Sequence, residues 1–161
     1  MEVGIEAIGH VRGGRSTRRD DGWDEETASI ELHERFGVEA IASLESFSHI
    51  EVIFRFHTLS DEQVNTGARH PRGNTDWPLV GIFAQRGSKR PNRLGVTVCQ
   101  LLGVEGRKIH VRGLDAIEGT PVLDVKPVMK EFLPRGEVRQ PAWSSALMTG
   151  YWHGPDVAND D

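Results

Sequence analysis

The sequence predicts a mainly β single-domain protein, folded as a small barrel or strongly curved sheet with a few short helices. Three observations point there. Apolar and polar side chains alternate with period two in several segments, glycine occurs 18 times in 161 residues, and helical periodicity is confined to two short stretches. Alternation marks strands with one buried face. Closing many short strands into a barrel removes the exposed edges that an open sheet leaves.

Taken in chain order, Glu2 to Val11 is the first strand candidate, and Thr27 to His33 is the second. Between them, Arg12 to Glu26 is glycine-rich and dense in charge, which predicts a loop, mobile in isolation. Val38, Ile41 and Leu44 share one face of a short helix beginning after Gly37. The strongest strand is His49–His57: Ile50, Val52, Phe54 and Phe56 fall on one face, with His49, Glu51, Ile53, Arg55 and His57 on the other. Pro78 to Ala84 reads as a further, buried strand. Gly95 to Leu102 and Lys108 to Arg112 alternate on either side of Glu105-Gly106, which predicts a hairpin. A second short helix is expected within Ala142 to Tyr151, and the tail after His153 is expected to fray. No internal repeat is present, and no GxGxxG turn links a strand to a helix, so a Rossmann nucleotide site is not supported.

Composition narrows the classes of function. Hydrophobic residues make up 37% and charged residues 27%, enough for one ordinary core. No apolar run approaches the roughly 18–20 residues of a spanning helix, which argues against a membrane protein. Met1 to Ala7 carries Glu2 and Glu6 and lacks the basic start and apolar middle of a signal peptide, so the expected location is the cytoplasm. A single cysteine, Cys99, leaves no intramolecular disulfide, and no divalent-metal spacing appears, so no metal is expected. The net charge of −5 argues against a large nucleic-acid footprint. Its distribution is uneven, however. Arg69, Arg72, Arg86, Lys89, Arg90 and Arg93 face only Asp76 in the same stretch, while acids gather at 20–26 and in the tail. A local basic patch on an acidic chain suits a small anion or one nucleic-acid loop better than a long duplex.

Three segments have the residue types that chemistry needs. Gly81 to Gly95 runs from the expected strand into a loop with four cations, Pro91, Asn92 and glycines. Alone, such a loop is an ordinary solvated turn; as a site it offers Arg86 and Arg90 as planar forks toward an anion or nucleotide. Gly113 to Pro127 sets Asp115, Glu118, Asp124 and Lys126 around a Gly-Thr-Pro turn. These acids either cap turns, with Asp124 paired to Lys126, or face a cation or ribose hydroxyls. His57, like His49, sits at a strand end, where an ordinary structural role is the default, and Arg69 to Gly73 is a basic turn.

Together, Phe47 to His57 (FSHIEVIFRFH), Arg69 to Gly73 (RHPRG), Val80 to Gly95 and Gly113 to Pro127 resemble, in this order, the TrmO/YaeB-like family. The resemblance covers roughly residues 3–132 and includes Ile8-Gly9 of the first strand. It implies a small single-domain β-barrel that dimerises, binds S-adenosylmethionine near the dimer interface, and N6-methylates threonylcarbamoyladenosine in tRNA. By matching position, Phe56, His57, Arg86, Val96, Leu114, Asp115, Ala116 and Ile117 would contact the cofactor. Arg69, Arg72, Arg90 and Asn92 would serve the substrate, Arg90 and Asn92 either directly or through loop architecture.

The resemblance assigns no catalytic acid or base, though His57 and Asp115 are available. Two departures stand out. The Pro-Arg-Gln-type cofactor segment usual after the first strand is replaced here by Arg18 to Asp24, with Asp21, Gly22 and Trp23 as candidates for its contact and Trp23 as a platform for an unpaired base. The additional C-terminal domain of larger members is replaced by an aromatic-rich tail. The expected organisation is therefore a cofactor-binding barrel at 1–133 and an extension at 134–161 packed on the barrel or on a dimer partner. Rival readings are methyl transfer to another small-molecule or RNA acceptor, and a non-catalytic S-adenosylmethionine sensor.

Overall fold

The computed structural model describes residues 1–154. Among the described residues there are eight strands: β1 (Gly9–Arg12), β2 (Thr27–Leu32), β3 (His49–Arg55), β4 (Ala68–Arg69), β5 (Val80–Gly81), β6 (Leu94–Glu105), β7 (Lys108–Arg112) and β8 (Pro121–Pro127). Six of them close a barrel in the order β1-β2-β7-β6-β3-β8, and β4 pairs with β5 as a separate two-stranded ribbon. Every pairing is antiparallel. The barrel and the β6–β7 hairpin follow the alternation in the sequence. Inward positions of the strands supply the core: Val11, Ile30, Ile50, Val52, Phe54, Ile109, Val111 and Val122 are buried at 0–1% exposure. Burying side chains of this size contributes about 1.5–3 kcal/mol each.

Register decides where the loops go. Arg12 lies opposite Ser29, Thr27 opposite Arg112, and Arg55 opposite Leu94. Near the same end, Phe54 lies opposite Val122. The connections 13–26, 56–93 and 113–120 therefore leave one rim of the barrel, called here the site rim. The 33–48 connection and the tight β6–β7 turn leave the other rim, where β8 also ends. From there the chain runs through an exposed arm at 131–140 into α1 (Ala142–Met148) and returns to the site rim. The backbone N–H groups of Gly22, Trp23 and Asp24 donate to the carbonyls of Gly150, Tyr151 and Trp152 at 3.1, 3.1 and 2.8 Å.

Gly95 stands second in β6 because nothing larger fits. A Cβ there would stand 2.5 Å from ring atoms of Phe54, which is itself packed edge-on against Phe56. Gly95→Ala is expected to cost about 1–3 kcal/mol through overpacking. Thermal melting would show this as a midpoint lowered by roughly 2–4 °C per kcal/mol, and an unchanged midpoint would contradict the packing.

Several expected elements differ. Of Glu2 to Val11, only Gly9–Arg12 extends as a strand, and Val3 and Ile5 are exposed. Alternation there has no neighbouring strand to pair with. Pro78 to Ala84 is not a buried strand: β5 spans two residues and a 3-10 turn at Ile82–Ala84 follows, with Leu79 and Phe83 exposed. The helix around Val38 is two 3-10 turns, Val38–Ile41 and Leu44–Ser46, separated where Ser43 takes a left-handed φ of 66°. The 12–26 segment is a loop, but it is fastened rather than loose, with Arg15 bonded across it to Glu26. The tail after His153 falls, from residue 155 onward, outside the described residues. Among those described, no helix is long and apolar enough to cross a membrane.

Candidate functional site

At the site rim the 113–120 loop places Asp115 between two donors. Thr97, on the inner face of β6, donates its hydroxyl to one carboxylate oxygen, and Tyr151 donates to the other. Leu114 and Ala116 are buried on either side, so the backbone around Asp115 is anchored by apolar packing. Glu118 accepts from the Gly13 backbone N–H and from Arg12, tying this loop to the end of β1.

Arg86 reaches the same place from the 56–93 connection, donating to the carbonyl of Val96 at 2.7 Å. Val96 and Thr97 are adjacent on β6, so Arg86, through the Val96 carbonyl, and Asp115, through the Thr97 hydroxyl, meet the strand one residue apart. Burial, and next the Asp115 carboxylate, push the Tyr151 phenol well above its usual value, against the pull of the Arg86 and Arg72 cations. Both guanidiniums therefore lie within electrostatic reach of the Tyr151–Asp115 pair. Cys99 follows Thr97 on the inner face. Burial, with Asp115 adding to it, pushes its thiol up to about 12, so it is no nucleophile at neutral pH.

The 13–26 loop forms the facing wall. Arg15, its side chain 9% exposed, pairs with Glu26 at 2.7 Å. It also donates to the carbonyls of Asp21 and Gly22, and its guanidinium lies 4.1 Å from the Trp23 ring centre. Trp23 is 4% exposed. It is a core element of this loop, so it is not available as a stacking platform for a base. The loop, in turn, holds Gly150 to Trp152 through the three backbone bonds above.

Phe56 and His57 stand at the same rim; the Phe56 N–H bonds the Arg93 carbonyl at 2.8 Å, and the His57 imidazole sits close to Gly119. Burial lowers His57 below the ordinary imidazole value. Ile117 is half-buried beside Ala116. Arg72 pairs with Asp21 at 3.0 Å and lies beside the Tyr151 cluster, whereas Arg69 lines a separate open groove with Lys89 and the 62–67 segment. Arg90 donates to the Gln85 carbonyl at 2.6 Å, and Asn92 turns the chain at φ 63°; both shape the loop. His49 is at the opposite rim, and Asp124 is paired with Lys126 at 2.8 Å, away from the site loops. Among the described residues, no three His, Cys, Asp or Glu side chains are grouped to hold a metal ion.

Sequence reasoning missed Thr97, Arg15 and Tyr151. Thr97 had a usable signal, a polar residue on the inward phase of β6 between Gly95 and Cys99. Arg15 and Tyr151 act across 11 and 36 residues of sequence, and neither spacing is visible in a linear pattern.

Residues 15–132 match the family model described as the tRNA-methyltransferase O N-terminal domain. The chain is 37% identical over 102 residues to the human tRNA (adenine(37)-N6)-methyltransferase, covering 63% of this chain and 23% of that protein. It is 40% identical over 92 residues to a putative S-adenosylmethionine-dependent methyltransferase of Pseudomonas aeruginosa, covering 56% of this chain and 38% of that one. It thus spans well under half the length of these two relatives. By contrast, it covers 93% of a probable S-adenosyl-L-methionine-binding protein of Methanothermobacter thermautotrophicus, at 33% identity and 81% of its own length. Among solved structures, TrmO from Pseudomonas aeruginosa superposes with a TM-score of 0.68 at 29% identity, over 86% of this chain and 62% of that one. The closed barrel and the match across 15–132 agree, and the chain belongs to the tRNA-methyltransferase O N-terminal domain family.

Proposed function

We propose that the chain is an S-adenosylmethionine-dependent methyltransferase acting on an adenosine N6 in tRNA, with threonylcarbamoyladenosine as the acceptor. The observation that supports it most is the convergence of Asp115, Arg86 and the Val96 carbonyl at one rim, in a chain whose relatives are named for this donor and this reaction.

The side chains present fit the donor chemically. Each Asp115 oxygen has accepted one protein hydrogen bond and retains acceptor capacity, which suits an ammonium or sulfonium. Arg86 and Arg72 offer cations for a carboxylate, and the half-buried Phe56 and Ile117 provide apolar surface. When bound, S-adenosylmethionine supplies an electrophilic methyl whose bond to sulfur breaks, the electron pair staying on sulfur, as the acceptor nitrogen bonds the carbon. The protein's contribution is alignment, and holding two reactants on one axis is worth up to about 7–11 kcal/mol. The lowered His57 is unprotonated at neutral pH and can take the proton released by the amine. Asp115, with one protein donor on each oxygen, serves to orient.

The same reading includes a homodimer in the cytoplasm. Val96, Val98 and Leu102 expose an apolar row on the outer face of β6. The arm after β8 is exposed throughout 131–140, with Phe132 at 86%. A second copy would cover both.

Nucleoside mass spectrometry of tRNA incubated with the protein and the donor tests the reading, and new methylated threonylcarbamoyladenosine is the expected product. The near full-length match to a probable S-adenosyl-L-methionine-binding protein gives one specific reason for a second reading, a non-catalytic sensor. Tight donor binding with no methyl transfer to any RNA would favour it.

A further inference from the structure

We propose that Tyr151, carried back to the site rim by the C-terminal extension, is a positioning residue that sets the Asp115 carboxylate toward the methyl donor. The inference rests on the donor site proposed above and extends it to a segment outside the 15–132 family match.

Four observations carry it. First, the two carboxylate oxygens are divided between two donors from different parts of the chain, Thr97 of the barrel and Tyr151 of the extension. Two donors on two oxygens fix the plane of a carboxylate that would otherwise rotate, and so fix the directions of its remaining lone pairs. Second, the extension is already fastened without this contact. Three consecutive backbone bonds join Gly150 to Trp152 to the 22–24 segment, and the Tyr151 and Trp152 rings meet edge-on with centres 5.0 Å apart. The half-buried carboxylate is not needed merely to anchor the tail.

Third, the wall that receives the tail is itself rigid, because Arg15 bridges Glu26, Trp23 and the carbonyls of Asp21 and Gly22. Tyr151 is thus aimed by backbone geometry and not by a free surface side chain. Fourth, the phenol is held far above its ordinary titration range by burial and by Asp115, so it remains a hydrogen-bond donor at every working pH. Arg72 and Arg86 stand within reach of the same pair, so the tyrosine lies among the charged groups of the proposed site, not at its margin.

Calorimetric titration of the full chain with S-adenosylmethionine provides the test, using wild type, Tyr151→Phe, Asp115→Asn and the double variant. Tyr151→Phe keeps the ring contact with Trp152 and loses only the hydroxyl. The expected result is an affinity about tenfold weaker for Tyr151→Phe, as for loss of one hydrogen bond to a charged group, with the melting midpoint close to wild type. Asp115→Asn should weaken binding at least as much, and the double variant should be no weaker than Asp115→Asn, because the tyrosine acts through the carboxylate.

In methyl-transfer assays the Tyr151→Phe loss should appear in KM for the donor, with kcat within about twofold, the pattern expected when uniform binding is weakened. A merely structural role would instead reduce the active fraction and lower kcat. Unchanged affinity in Tyr151→Phe, or a double variant that loses the product of the two single losses, overturns the proposal. A wild-type chain that binds no donor overturns the functional reading itself, which separates the two failures.

Discussion

Asp115→Ala is expected to lower affinity for S-adenosylmethionine about a hundredfold or more and to lower the melting midpoint as well. Both effects have the same origin. The substitution removes the one acceptor shared by Thr97 and Tyr151. Thr97 is 7% exposed, so its hydroxyl loses its partner inside the barrel, where solvent cannot replace it. An unsatisfied buried polar group costs about 1–3 kcal/mol; Thr97 becomes one, and the half-buried Tyr151 hydroxyl loses its partner as well. Ligand binding loses more than a charge: the loop 113–120 is held to Thr97 through this carboxylate and would relax, while the tail keeps its backbone bonds to the 22–24 segment. Since each 1.4 kcal/mol is tenfold in affinity, loss of the carboxylate and of its setting together reaches two decades. Affinity by calorimetry and midpoint by thermal melting give the two readouts. An alanine variant that binds the donor like wild type would remove Asp115 from the site.

Arg86 is the cationic counterpart of Asp115, bound at the adjacent residue of β6. Its bond to the Val96 carbonyl uses one arm of the guanidinium and leaves the rest of the fork at the rim. Arg86 stands out in the sequence through its motif, and the strand that unites it with Asp115 is also legible there. The convergence itself is not. Period-two alternation reports which face of a strand is apolar, but says nothing about which strands pair. Hence β3, β6 and β7 are readable, while Val3 and Ile5 alternate equally well and remain unpaired in solvent.

Local backbone chemistry accounts for the other differences. The helical face of Val38, Ile41 and Leu44 is real, but Ser43 at φ 66° breaks it into two turns. The sequence around Trp23 reads as a charged, glycine-containing loop, and only the tertiary contact with Arg15 turns that tryptophan into a buried element. The aromatic density of Tyr151-Trp152 is visible, yet its target lies 36 residues earlier, in another loop of the site rim. Contacts of this kind are set by topology, and a single sequence does not encode them in any spacing.

Topology also separates two arginines that the sequence places side by side, and the separation leads to a test of the RNA interface. Arg72 is held by Asp21 at 3.0 Å and stands in reach of Tyr151. Arg69 lines the open groove with Lys89 and the 62–67 segment. If the groove carries single-stranded RNA phosphates, Arg69→Ala with Lys89→Ala should weaken tRNA association by roughly tenfold to a hundredfold and leave donor affinity unchanged. The salt dependence should also flatten, because each phosphate neutralised on a single strand adds about −0.7 to the slope of log affinity against log salt. Removing both cations therefore predicts a slope shallower by about 1.4. Arg72→Ala should do the opposite, disturbing donor binding through Asp21 and the tail while leaving the salt slope nearly intact. Filter binding across a salt series, paired with donor calorimetry, distinguishes these outcomes. Equal loss of RNA and donor binding in the Arg69/Lys89 variant would mean that the groove supports the 56–93 connection instead of holding RNA, since that connection also delivers Arg86 to the rim.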